Sequence, residues 1–260
     1  MTSILAIPAV DLPATPRGPG RPRRRVDSPQ LGLPPGREAG GDLPSVLLHP
    51  RRRLDDDMLT AAEAIMPRNA VRSGLLLDPH GALLRQIASL GAPWHGAVIS
   101  LGQGVAFDAT QIIGQVAWAL EVADLPATRM ELILSEASLA TIDTDGVLAL
   151  SALRDLGIGL CVDAFGAGMA SLTLLRRLPL TSLKLARTLV RAVPDDREDA
   201  AVLRAVIGTA QAVGLTVIGD GIDTERQRAF LAHCGCDEGQ GALFGPPLQV
   251  VGLPRQGILA

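Results

Sequence analysis

From about residue 42 onward, short apolar runs alternate with longer amphipathic stretches, the pattern of strands joined by returning helices. The runs SVLLH, LTAAEAI, GAVISL, MELILS, GIGLCVDAF, SLKLA, TVIGDGI and GALFG are predicted strands. Between them, DATQIIGQVAWALEVA, GVLALSALRDL, ASLTLLRRL and EDAAVLRAVIGTAQAVGL are predicted helices. In the last, Val202, Leu203, Val206, Ile207, Ala210 and Val213 recur at spacings of three and four, which predicts one buried face. About eight parallel strands with helices between them point to an α/β fold of the (β/α) barrel type, and the roughly 210 residues available fit its lower size range.

That architecture gives the polar residues a position. Glu63, Ser100, Asp163, Lys184, Asp220 and Gln240 each close a different apolar run. Barrel sites are built from C-terminal strand ends, so the six are expected to share one rim.

Composition narrows the partners. The chain has 260 residues, 47% hydrophobic and 20% charged, enough to bury a substantial core. Aromatic residues make up 2%, with no tyrosine, which removes the stacking platforms of single-stranded nucleic-acid binders. A net charge of -3 adds no broad attraction for a polyanion, so polymeric nucleic acid is not an expected partner. Cys161, Cys234 and Cys236 are too few and too clustered to staple a fold, which fits a reducing compartment. His233, Cys234 and Cys236 lack the second ligand cluster that a zinc site needs. No apolar run reaches the roughly 18 residues of a membrane span, and the N-terminus lacks the features of a signal peptide, so a cytoplasmic location is expected. Residues 1–41, rich in Pro, Gly and Arg and carrying the basic stretch Arg21 to Arg25, read as a disordered leader. Residues 42–250 form the expected barrel domain and 251–260 a tail.

Taken in order, HPRRRLDDDMLTAAEAIM, DAFGAGMASL, LPLTSLKLAR, GDGIDTERQ and GCDEGQGALFGPPL resemble the motifs of the EAL domain, a family of phosphodiesterases that hydrolyse cyclic di-GMP. The resemblance implies an EAL-type (β/α)8-like TIM barrel, shortened in its first half between Glu63 and Ser100. It also implies roles for residues. Active members use two divalent cations, Mg²⁺ or Mn²⁺, and Glu63, Asp163 and Asp220 match metal-ligand or general-base positions. Ser100, Ile133 and Ala164 fall where the family has an asparagine, a glutamate and an aspartate ligand. Glu131 lies two residues before Ile133 on the same strand face, and Glu136 matches a glutamate that anchors the catalytic loop. Lys184 matches the lysine that orients the attacking water, Asp220 replaces a glutamate, and Gln240 matches the closing glutamine, so the catalytic set Lys184, Asp220 and Gln240 is vestigial. For the dinucleotide, Lys184, Asp223, Gln240, Phe244 and Pro247 are candidate contacts, and Arg68 stands beside Pro67, which replaces the family's arginine.

Hard cations need several oxygen ligands each, and the lost positions remove most of the negative charge that would hold a pair of them. Any Mg²⁺ or Mn²⁺ is therefore expected to bind weakly or not at all. The expected function is a degenerate module of cyclic di-GMP signalling, either a receptor or a protein-interaction scaffold with a protein partner. The alternative is a weak metal-dependent phosphodiesterase that yields the linear dinucleotide. The oligomeric state is not legible.

Overall fold

Five residues, 54–58, separate β1 (Leu47–Arg53) from β2 (Leu59–Ile65), too few for a crossover helix. The two strands consequently pair antiparallel, with Leu47 opposite Ile65 and His49 opposite Glu63, and the amide of Arg53 donates to the Met58 carbonyl across the turn. This corrects the all-parallel expectation at the first strand.

The computed structural model describes residues 47–65, 98–102, 112–114, 116–117, 120–121, 125–167 and 172–249. The leader 1–41, Pro67, Arg68 and the tail 251–260 lie outside the described residues, as do Gly168 and Met169 of the DAFGAGM segment. From β2 the sheet continues in parallel through β3 (Val98–Gly102), β4 (Met130–Ser135), β5 (Gly159–Phe165), β6 (Ser182–Leu185), β7 (Thr216–Asp220) and β8 (Glu238–Gln240). β1 then pairs with β8 as well as β2, which closes the ring, and the short β9 (Leu248–Gln249) adds to β1. The chain thus has a TIM-barrel-like α/β fold.

The helices that follow β4 to β7 are α1 (Glu136–Ala140), α2 (Thr144–Asp155), α3 (Leu172–Arg177), α4 (Arg187–Ala192), α5 (Arg197–Ala212) and α6 (Glu225–His233). Their starts are written in the sequence. Asp143 caps α2 through the Gly146 amide, Asp196 caps α5 through the amides of Glu198 and Asp199, and Thr224 and Gln227 form a reciprocal capping box on α6. Buried Leu132, Leu134, Leu160, Val162, Leu183, Leu185 and Val217 on the strands join Leu150, Leu153, Leu203 and Ile207 of the helices in one core cluster. No helix among the described residues is long and apolar enough to cross a membrane.

Two readings change here. On α5 the buried stripe is Ala200, Leu203, Ile207 and Ala210, while Val202 and Val213 face solvent at 46% and 44% exposure. The stripe is set by the 3.6-residue turn; Val202 falls off it, and Val213 lies just past the helix's last residue as its C-cap. The run GALFG is not a strand either. Positive φ at Gly241 and Gly245 brackets a single 3-10 turn over Ala242–Phe244, and the closing strand lies just before it at Glu238–Gln240.

Gly208 stands in the middle of α5, exposed, with no atom within 4 Å of where a Cβ would sit. Nothing in the fold needs its missing side chain. Gly208→Ala is expected to stabilise the protein by about 1 kcal/mol, the helix-interior difference between the two residues. The check is a higher urea midpoint at unchanged slope.

Candidate functional site

Alternate residues of the strands point into the barrel, and they stack in three layers. The lowest is charged. Arg51 of β1 places Nη1 2.7 Å from Glu131 Oε2 and Nε 2.9 Å from Glu238 Oε2, although that second contact is too poorly aligned to count as a hydrogen bond. The hydroxyls of Ser100 and Ser182 each donate to Glu131 at 2.7 Å. Above lies an apolar septum of Ile133, Cys161 and Ile218.

The third layer is the mouth. Lys184 Nζ sits 2.9 Å from Glu63 Oε2 and 3.3 Å from Asp163 Oδ1, and its side chain is only 4% exposed. Gln240 Nε2 donates to the same Glu63 oxygen at 2.7 Å and to Asp220 Oδ1 at 3.1 Å. The structure therefore brings Glu63, Asp163, Lys184, Asp220 and Gln240 into one constellation. Ser100 is not part of it, because its hydroxyl is turned down to Glu131.

The remaining candidates are scattered. Ile133 is buried in the septum, one layer above Glu131, whose carboxylate is taken by Arg51 and two serines. Ala164 is exposed and held at φ 52, a left-handed conformation that costs a side-chain-bearing residue about 1–2 kcal/mol. Asp223 is exposed and its Oδ1 accepts from the Ala242 amide at 3.3 Å. Phe244 is half-buried against the core, with its ring close to Gly239, and Pro247 is exposed. Glu136 begins α1, and its Oε2 is buried without a hydrogen-bond partner among the described residues.

Three mouth or floor residues were not singled out from the sequence. His49 is carried to the mouth opposite Glu63 because β1 runs antiparallel. Arg51 reaches the floor on the same strand. Arg187, exposed at the start of α4, folds over Gly221, where φ is 80 and a Cβ would collide with the arginine's Cγ and Nε. The alternation in HPRRR marks which residues share a face, but the turn that reverses the strand decides which end is up.

Electrostatics binds the layers. Burial pushes the Lys184 ammonium towards its neutral form, but Glu63, Asp163 and Asp220 outweigh it and raise its pKa above the ordinary lysine value. Burial likewise works against the Glu63 carboxylate, and Lys184 with Gln240 overcomes this and lowers its pKa. Glu131 is lowered in the same way, against burial, by Arg51, Ser100 and Ser182. Glu238 ends up raised because burial prevails over Arg51. His49 is lowered by burial, with Lys184 and Arg187 adding to it and Glu63 and Asp220 opposing it.

These shifts set a pH dependence. A carboxylate with a depressed folded pKa stabilises above its ordinary value, and that contribution is lost as pH falls through the folded pKa. Stability is thus expected to drop on acidification in two stages: first below the ordinary histidine value of 6.5, where the unfolded state gains a proton that buried His49 resists, then below the ordinary glutamate value of 4.5 as Glu63 and Glu131 are protonated. Glu238 works in the opposite direction, and because its folded pKa lies above 4.5 its gain comes before the second stage begins. Urea midpoints across pH 7.5 to 3.5 test this, and His49→Phe should remove the first stage.

The donor set does not fit two divalent cations. Glu63 Oε2 already accepts from Lys184 and Gln240, Asp220 Oδ1 accepts from Gln240, and Ile133 and Ala164 offer no donor atom. Among the described residues no group of three His, Cys, Asp or Glu side chains is placed to hold a metal ion.

A family model described as EAL domain matches residues 49–247. The chain is 38% identical over 142 residues to a cyclic di-GMP phosphodiesterase, NbdA of Pseudomonas aeruginosa, a stretch covering 55% of this chain and 18% of that protein. The chain thus spans about a fifth of that relative's length. The solved EAL domain of DcpA from Mycobacterium smegmatis superposes with a TM-score of 0.69 at 25% identity, covering 81% of this chain and 94% of that one. BlrP1 of Klebsiella pneumoniae, solved with manganese and cyclic di-GMP, superposes with a TM-score of 0.70 at 21% identity, covering 82% and 58%.

Proposed function

Since the chain belongs to the EAL domain family over residues 49–247, we propose that it serves cyclic di-GMP signalling as a non-catalytic module whose barrel is kept as a regulatory, protein-binding scaffold. The observation that carries this reading is the mouth itself. Positions that supply metal ligands in the family are Ser100, Ile133 and Ala164 here, and the carboxylates that remain are engaged by Lys184 and Gln240. In-line attack on a phosphodiester needs a cation-activated hydroxide and a charge clamp, and this donor set supplies neither.

The residues left at the mouth disfavour a dinucleotide as well. Glu63, Asp163 and Asp220 outnumber the ammonium of Lys184, which already contacts two of them, so a dianionic ligand meets net repulsion there unless a cation screens it. The receptor form of the proposal draws on Arg187, an exposed guanidinium over Gly221 that a phosphate could reach. The weak-phosphodiesterase alternative draws on the retained Glu63, Asp163, Asp220 and Lys184 and on the similarity to NbdA, a cyclic di-GMP phosphodiesterase.

Calorimetric titration of cyclic di-GMP into the full chain, once with Mg²⁺ and once with EDTA, separates the forms. The scaffold reading expects no binding heat at micromolar protein in either buffer. Tight binding that persists in EDTA would make the module a receptor. Binding that requires metal and ends in linear product would overturn the non-catalytic reading.

A further inference from the structure

We infer that the Lys184 ammonium is the resident cation of this barrel mouth, a tethered counter-charge that assembles Glu63, Asp163 and Asp220 without metal and keeps divalent ions out. The inference deepens the non-catalytic reading but stands on a separate observation. Nζ lies 2.9 Å from Glu63 and 3.3 Å from Asp163, so one positive charge bridges carboxylates from β2 and β5 across the barrel. Gln240 adds a neutral donor that ties Glu63 to Asp220.

The lysine has little room to withdraw. Its neighbours Leu183 and Leu185 are fully buried, its own side chain is 4% exposed, and the septum of Ile133, Cys161 and Ile218 offers no polar pocket below. A divalent ion arriving at Glu63 would meet the ammonium at contact range in a poorly solvated site, and repulsion there is weakly screened. In a barrel with its full ligand set the extra carboxylates would offset that repulsion. Ile133 and Ala164 cannot.

The test is thermal unfolding of the full chain in EDTA and in millimolar Mn²⁺, for the native protein and Lys184→Ala. The native protein should show the same Tm in both. Lys184→Ala should melt lower in EDTA and recover in Mn²⁺ or in ethylammonium, which refill the vacated charge, and adding Glu63→Gln should abolish the recovery. A native Tm that rises with Mn²⁺ and no longer does so in Glu63→Gln overturns the inference, as does a folded Lys184→Ala indifferent to both cations. If Lys184→Ala does not fold, the electron spin resonance of stoichiometric Mn²⁺ with the native protein decides instead: a free-ion spectrum supports the tethered cation, and a signal lost in the native chain but kept in Glu63→Gln refutes it. These readouts contain no dinucleotide, so manganese binding without hydrolysis would sink this inference and leave the non-catalytic reading standing.

Discussion

Arg51→Met is expected to destabilise the protein by about 3–5 kcal/mol, the usual cost of removing one partner from a buried ion pair. Arg51 is 6% exposed and balances two carboxylates, Glu131 at 2.7 Å and Glu238 at 2.9 Å. Without it, Glu131 keeps only the hydroxyls of Ser100 and Ser182, and Glu238 loses its counter-charge. For a domain of this size each kcal/mol is worth about 2–4 °C, so Tm should fall by about 6–20 °C. Adding Glu131→Leu and Glu238→Leu should restore much of the loss, because the cost lies in the stranded charges more than in the missing bond. The deficit should also shrink below pH 4.5, where the contribution of Glu131's depressed pKa disappears in the native protein. A loss of under about 1 kcal/mol would mean that the floor network holds nothing together.

Gly241→Ala should cost a comparable amount for a different reason. Gly241 has φ 151 and ψ -174, a region open to glycine alone, and a residue forced into it pays about 1–3 kcal/mol. Its Cβ would also collide with the backbone of Ile222. That backbone is fixed from both sides: the amides of Gly221 and Ile222 donate to the Gln240 carbonyl at 2.9 and 3.0 Å, and the Leu243 amide donates to the Ile222 carbonyl at 3.1 Å. Steric displacement adds about 1–3 kcal/mol, and since the same bonds set Asp220 beside Gln240, the mouth should loosen with the fold. Gly245→Ala is the control. Its φ is 106 but no atom lies within 4 Å of the new Cβ, so it should show the backbone strain without the collision. Equal urea midpoints for the two variants would contradict the steric part of the argument.

The contrast between floor and mouth shows what the sequence makes legible. LTAAEAI and MELILS are strands residue for residue, because apolar runs bounded by charge or turns carry that signal locally. The mouth residues are legible for the same reason: each lies within two residues of the end of its own strand, and a barrel gathers strand ends. Arg51 was not, since three arginines in a row look solvated, and what buries the first of them is a pair of glutamates 80 and 187 positions later on other strands. The direction of the Ser100 hydroxyl depends on that same network. GALFG misleads by composition, because its apolar residues are real but its glycines turn the backbone out of any strand.

The central claim is that this mouth does not cleave the dinucleotide of its family. It is tested most directly by incubating the full chain with cyclic di-GMP and excess Mn²⁺ and separating the products by chromatography, beside the phosphodiesterase NbdA run in parallel. The account predicts that cyclic di-GMP is recovered intact from this protein after prolonged incubation. Linear dinucleotide that accumulates with Mn²⁺, stops with EDTA and disappears in Asp163→Asn would contradict it.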